Sequence, residues 1–143
     1  MGALDGKIAI VTGAGSGIGR ASAKRFAAEG ARLVIGDKTD AVFETARAIT
    51  ESGGEVTALQ IDAGNEADVI KLVDTARSIY GGLDVAFANA GISGGMDGIF
   101  DAKADDFAEI LRVNLIGPWL MIKHAGKLMV DQGRGGSIIC TAS

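Results

Sequence analysis

The stretch from Lys7 to Arg20, KIAIVTGAGSGIGR, restricts the possible folds of this chain more than any other. Lys7 to Thr12 is a short, nearly continuous apolar run (Ile8, Ala9, Ile10, Val11), the pattern of a parallel strand buried on both faces. Glycines then stand at positions 13, 15, 17 and 19, and after Arg20 an alanine-rich, helix-favouring segment runs to Glu29. Strand, glycine loop and helix in that order leave backbone N–H groups unpaired at the start of the helix. Glycine lets an anion approach them, and the helix dipole adds roughly 0.3–1 kcal/mol per interaction. The predicted anion is a phosphate or pyrophosphate.

The same β-α rhythm continues. Arg32 to Ile35 predicts strand two, ending at Gly36-Asp37, and Gly30 stands past the end of the first helix. Thr39 and Asp40 offer helix caps for a segment to about Ser52, closed by Gly53-Gly54, and Val56 to Ile61 reads as strand three. Asn65 with Asp68 three residues later resembles a capping arrangement for a helix to Tyr80, before Leu83 to Ala88 as strand four. A glycine-rich loop from Gly91 to about Gly98 leads into a longer helix, Ala104 to Val130, with Phe107, Ile110, Leu111, Leu115 and Leu120 near helical spacing. Pro118 falls inside it and predicts a kink or break near Gly117-Pro118. Ser137 to Thr141 is strand five. Five strands joined by helical crossovers imply an α/β fold, a doubly wound parallel sheet, in one domain spanning residues 1–143.

Composition excludes several classes. Net charge is −4 with no basic cluster, which argues against nucleic acid and anionic membrane surfaces as partners. No stretch approaches the ~18 apolar residues of a membrane span, and no signal-peptide pattern precedes Lys7, so a cytoplasmic protein is expected. The one cysteine, Cys140, rules out an internal disulfide, fits a reducing compartment and reads as a small buried strand residue. His124, the sole histidine, has no partner at metal-ligand spacing and reads as a helix-surface residue, so no metal site is assigned. Trp119, Met121 and Met129 read as core or helix-contact residues.

The strict fingerprint G-x-G-x-x-G is not met, because counting from Gly13 its last position falls on Ile18. What stands instead is T-G-x-x-x-G-I-G, Thr12 to Gly19, which resembles the cofactor loop of the short-chain dehydrogenase/reductase family. The resemblance implies a Rossmann-type sheet that holds NAD, with Gly13, Ser16, Gly17, Ile18 and Gly19 at the cofactor. Asp37 lies 24 positions beyond Gly13 (37 minus 13), near the ~20-residue offset at which an acidic residue meets the adenosine ribose 2′-hydroxyl, favouring NAD over NADP. Asp62 matches the family position resembling an adenine-amino contact, with the Ala63 amide alongside; a turn or helix-capping role for Asp62 is the alternative. Asn89-Ala90-Gly91 is the family's N-A-G motif, with Ala88 where an Asn usually precedes it, and by resemblance it backs the cofactor's ribose. Val113 joins the cofactor set, and the neighbouring Asn114 resembles the Asn that shapes the helix and holds a water in a proton relay.

Ser143, the last residue, corresponds to the family's catalytic serine, which hydrogen-bonds the substrate oxygen. The implied reaction is hydride transfer between NAD(H) and a small-molecule secondary alcohol or ketone, in a protein that is a homotetramer when complete. The family's acid, a tyrosine with a lysine four residues later, is absent: the sole tyrosine is Tyr80, and Asp84 stands four beyond it. The resemblance runs from about Gly6 to Ser143 and covers only the N-terminal part of a family member, without its C-terminal strands and helices. Residues 1–143 alone are therefore expected to contact the cofactor without turnover.

Overall fold

The computed structural model describes residues 1–142; Ser143 lies outside the described residues. Five strands, β1 (Ile8–Thr12), β2 (Arg32–Asp37), β3 (Glu55–Gln60), β4 (Val85–Ala88) and β5 (Ser137–Cys140), form one sheet in the order β3-β2-β1-β4-β5. Every pairing is parallel, with Val11 opposite Ile35 on one side and Phe87 on the other. The helices are α1 (Gly17–Ala28), α2 (Ala41–Glu51), α3 (Glu66–Thr75), α4 (Ala104–Leu111) and α5 (Gly117–Asp131).

The apolar run that predicted β1 packs both faces of the sheet, because successive side chains of a strand point to opposite sides. Ile8 and Ile10 join Val34, Leu72, Leu83, Leu120 and Met121 in one core, beneath α3 and α5. Ala9 and Val11 join Leu33, Ile35, Val42 and Ile49 in the other, beneath α1 and α2. β1 is fully buried, as the central strand of a doubly wound sheet must be.

Several local expectations change. Asp40 takes the N-cap position of α2 but makes no side-chain cap, and the Thr39 hydroxyl and amide are drawn to Asp37 Oδ1, each at 3.0 Å. Asn65 does cap α3, its Oδ1 accepting from the Asp68 amide at 3.1 Å, while Asp68 returns its carboxylate to the Asp62 amide. In place of the kink or break expected at Gly117-Pro118, a wide π-helical turn spans Arg112–Ile116, just before the proline, and the Gly117 amide reaches back five residues to the Arg112 carbonyl. Proline cannot donate to the turn before it and its ring crowds the carbonyl four residues back, so the extra residue is taken up there and the helix runs on through Pro118.

Burial differs at the β5 side. Cys140 is exposed rather than buried, because among the described residues β5 pairs only with β4 and its faces are thinly covered. Phe107, Leu111, Leu115 and Trp119 are exposed as well, and only Leu120 of the spaced apolar set on this helix reaches the core. Trp119 is thus no core residue; its ring lies under the Lys123 ammonium, 5.4 Å from the centroid. His124 is half-buried and bonds Glu66 Oε1 at 2.8 Å, linking α5 to α3. No helix among the described residues is long and apolar enough to cross a membrane.

Candidate functional site

The carboxyl ends of β1, β2 and β4, with the loops that leave them, enclose a cleft of about 710 Å³. Strand order reverses at β1, whose chain leads to β2 on one side while β4 lies on the other, and ligands of open α/β sheets bind at that crevice. Gly13, Ser16, Gly17, Ile18, Asp37, Asp62, Ala63, Asn89, Ala90, Gly91 and Val113 all line it. Gly19 stands just behind, buried.

The glycine loop is shaped by close approaches. A Cβ on Gly19 would lie 2.0 Å from the Gly13 carbonyl oxygen and 2.8 Å from Asn89 Nδ2, so only glycine fits where α1 meets the loop. At Gly15, a Cβ would lie 2.8 Å from Asp37 Cγ. That proximity is used: the Gly15 amide donates to Asp37 Oδ2 at 2.9 Å, so the acidic residue at the end of β2 is anchored on the loop itself. Ser16 takes the N-cap position of α1 in an extended conformation without a side-chain cap. The first helical amides after it have no intrahelical acceptor.

Side chains that sequence reasoning passed over brace the loop. Arg20 Nη2 donates to the Gly15 carbonyl at 2.6 Å and Arg20 Nε to Thr45 Oγ1 at 3.1 Å, while the buried Thr45 hydroxyl donates to the Ala14 carbonyl at 2.8 Å. On the other flank, Thr12 Oγ1 accepts from the amides of Asn89 and Ala90, each at 3.1 Å. Asn89 Nδ2 donates to the Thr12 carbonyl at 3.3 Å, and its Oδ1 accepts from the Thr141 hydroxyl at 3.2 Å, tying β1, β4 and β5 together at the cleft floor.

The far wall comes from the turn after β3 and the π-helical turn. Asp62 Oδ1 accepts from the Gly64 amide and Oδ2 from Arg112 Nη2, both at 2.8 Å, while the same guanidinium grips Glu109 through two 2.7 Å bonds. Burial raises the proton affinity of the Asp62 carboxyl, but the Arg112 and Gly64 hydrogen bonds with the Arg112 and Lys38 charges outweigh it and hold Asp62 below the usual carboxylate range. Asn114 does not enter the cleft lining; its amide exchanges two 2.8 Å bonds with the backbone of Ile92, pinning the loop after β4 to the helix. Ser143 cannot be placed, since it lies outside the described residues. Tyr80 is buried in the core beneath the sheet, its hydroxyl 3.1 Å from Thr57 Oγ1, and does not line the cleft.

The donor set suits a nucleotide with a pyrophosphate: small glycines and open helix-start amides at one end, carboxylates flanking the other, and apolar Ile18, Ile61, Val113 and Ile92 between them. The profile of the short chain dehydrogenase family matches residues 7–143. Short chain aldehyde dehydrogenase 1 of Euphorbia lathyris is 39% identical over 98% of this chain and 49% of its own length. Borneol dehydrogenase, mitochondrial, of Lavandula x intermedia is 44% identical over 98% of this chain and 52% of its own. Among solved structures, a short chain dehydrogenase/reductase from Burkholderia phymatum in complex with NAD superposes with a TM-score of 0.95 at 35% identity, covering all of this chain and 51% of that one. The chain spans about half the length of these curated relatives.

Proposed function

The chain belongs to the short-chain dehydrogenase/reductase family, and on that premise we propose that it is the cofactor-holding part of an NAD-dependent oxidoreductase acting on a secondary alcohol or ketone. The observation that carries the reading is the anchoring of Asp37 on the Gly15 amide, which sets a carboxylate beside the phosphate-binding loop inside one cleft. NAD, when bound, supplies the hydride-accepting nicotinamide.

The residues act around it by holding and orienting. Gly13, Gly17, Ile18 and Gly19 present the backbone and helix start to the pyrophosphate. Asp37 receives the ribose hydroxyl, and its charge opposes a 2′-phosphate. Asp62 and the Ala63 amide meet the adenine edge; Asn89, Ala90, Gly91 and Val113 form the floor on the ribose and nicotinamide side. Asn114 fixes the loop at Ile92, and Ser143 hydrogen-bonds the substrate oxygen. Tyr80 cannot give the proton that carbonyl reduction needs, because its hydroxyl is paired with Thr57 inside the core. This favours the narrower reading that residues 1–143 by themselves bind cofactor without turnover.

The whole protein is in this reading a cytoplasmic homotetramer, a proposal supported by the exposed Phe107, Leu115 and Trp119 on the long helix and by the lone Cys140. The test is calorimetric titration of the protein carrying this sequence, expressed from its complete coding sequence, with NAD and NADP, followed by NADH oxidation with a panel of ketones. NAD binding with NADP markedly weaker, and turnover on at least one ketone, is expected. No binding of NAD at millimolar concentration would refute it.

A further inference from the structure

Arg112 lines the cleft and bonds two carboxylates at once, Glu109 and Asp62. Its Nε and Nη2 form a fork on Glu109, and Nη2 reaches on to Asp62 Oδ2 at 2.8 Å across a sequence separation of 50 residues. The turn beneath is cut to fit. A Cβ on Gly64 would lie 2.6 Å from Arg112 Nη1 and 3.0 Å from the Arg112 carbonyl oxygen, so the guanidinium packs on backbone where only glycine leaves room. Asp62 is then held at three points: its amide donates to Asp68 Oδ2, its Oδ1 accepts from the Gly64 amide and its Oδ2 accepts from Arg112. Each carboxylate oxygen has thus accepted one bond that restrains it and retains acceptor capacity for a ligand in the cleft that Asp62 lines. Side-chain exposures of 33% for Arg112 and 44% for Asp62 make such a pair a poor source of stability, which leaves orientation as its main effect.

We propose that Arg112 is a positioning residue for base recognition: acting through Asp62, it makes the cleft select an amino-bearing purine, adenine, over a purine with an oxygen at the same place. The proposal rests on the NAD-binding reading above. An exocyclic amino group donates to the fixed carboxylate, whereas a carbonyl oxygen there faces it lone pair to lone pair. Without Arg112 the carboxylate is free to rotate about its Cα–Cβ bond or to be hydrated, and the preference is lost while the pyrophosphate and ribose contacts remain. Glu109 completes the device by holding the guanidinium from the other side, so that the arginine's own orientation does not depend on a ligand.

The test measures dissociation constants for NAD and for nicotinamide hypoxanthine dinucleotide, which carries an oxygen in place of the adenine amino group. The unaltered protein and its Arg112→Met and Arg112→Lys variants are compared, each expressed from the complete coding sequence. The expected result is a preference for NAD that falls about fivefold or more in Arg112→Met, with affinity for the hypoxanthine dinucleotide nearly unchanged. Arg112→Lys keeps the charge but not the fork, so it retains part of the preference, and it carries the same test if the methionine variant does not fold. An unchanged preference, or an equal loss of both dinucleotides, would overturn the proposal. Equal affinity of the unaltered protein for both would also overturn it while leaving NAD binding intact. Failure of the unaltered protein to bind either would bring down the NAD reading itself, and this inference with it.

Discussion

Replacing Asp37 with asparagine separates the two things this carboxylate does. In the structure Oδ2 accepts from the Gly15 amide and Oδ1 from the amide and hydroxyl of Thr39. Gly15 is buried and Thr39 exposed, so the asparagine oxygen should stay on Gly15 and its amino group turn toward the Thr39 hydroxyl, which can accept. Only the exposed Thr39 amide is left to water, a loss of about 1 kcal/mol. The loop therefore keeps its shape while the charge disappears.

The charge decides cofactor choice. Two unit charges ~4 Å apart repel by about 4 kcal/mol at an effective dielectric of 20 and by about 1 kcal/mol in bulk water. Asp37 is half-buried at the cleft edge, so its effect on a 2′-phosphate falls between those limits. At about 1.4 kcal/mol per tenfold, Asp37→Asn should raise the ratio of NADP to NAD affinity by at least about fivefold and at most several-hundred-fold. Calorimetric titration with both cofactors, beside a thermal melt, reads the two consequences separately. A ratio unmoved within about twofold, in a variant that melts close to the parent, would refute the assignment of Asp37 as the residue that reads the ribose.

Two further outcomes concern the loop and the sheet. Gly19→Ala places a methyl group 2.0 Å from the Gly13 carbonyl oxygen, on backbone that cannot step aside, and should cost about 3 kcal/mol or more; a melt matching the parent would mean the loop is shaped otherwise. Asp84 joins three strands, accepting from the Ile8 amide and from Arg134 Nε, both at 2.9 Å, while its own carbonyl takes the Ser137 amide. Burial pushes its carboxyl up, but the Ile8 amide and Arg134 together hold it below the ordinary range. A carboxyl lowered on folding contributes stability that is present above its unfolded value of about 3.9 and is lost as pH falls through the folded one. Urea unfolding should accordingly show Asp84→Asn less stable than the parent at neutral pH, with the gap closing below about pH 4; a gap constant with pH would contradict the assignment.

The strands and the cleft's glycine end were legible in the sequence because both are local. A buried parallel strand such as Ile8–Thr12 announces itself by an unbroken apolar run, and the offset from Gly13 to Asp37 is set by the length of one β-α unit. What was not legible depends on which surfaces meet. Thr12, Arg20, Thr45 and Arg112 look like ordinary strand or helix residues, and the bonds by which Thr12, Thr45 and Arg112 brace the cleft reach partners 31 to 78 positions away, beyond any periodicity. Burial failed for the same reason: Cys140 sits in an apolar run like that of β1, but a run says nothing of how many layers cover it. Thr39 and Asp40 were legible as cap-forming types, yet Asp37, two residues before Thr39, offered its side chain and amide a stronger, charged acceptor.

The wide turn at Arg112–Ile116 ties these threads to a single residue. Pro118 cannot sit in a regular helix without displacing the carbonyl four residues back, and the Gly117 amide responds by bonding Arg112 instead of Val113. An i→i+5 turn is wider than an i→i+4 turn, so consecutive side chains step through a smaller angle and more of them share one face. Three adjacent residues are used there: Arg112 reaches Asp62, Val113 lines the cleft and Asn114 holds Ile92. Gly117 lets the same turn settle against the chain after β3, since a Cβ there would lie 2.9 Å from the Ala63 carbonyl oxygen. A proline that looked like a helix breaker thus relates to the cleft rather than to the end of the helix: the distortion before it lies in the cleft wall, where an undistorted helix would spread those three side chains more widely around its axis.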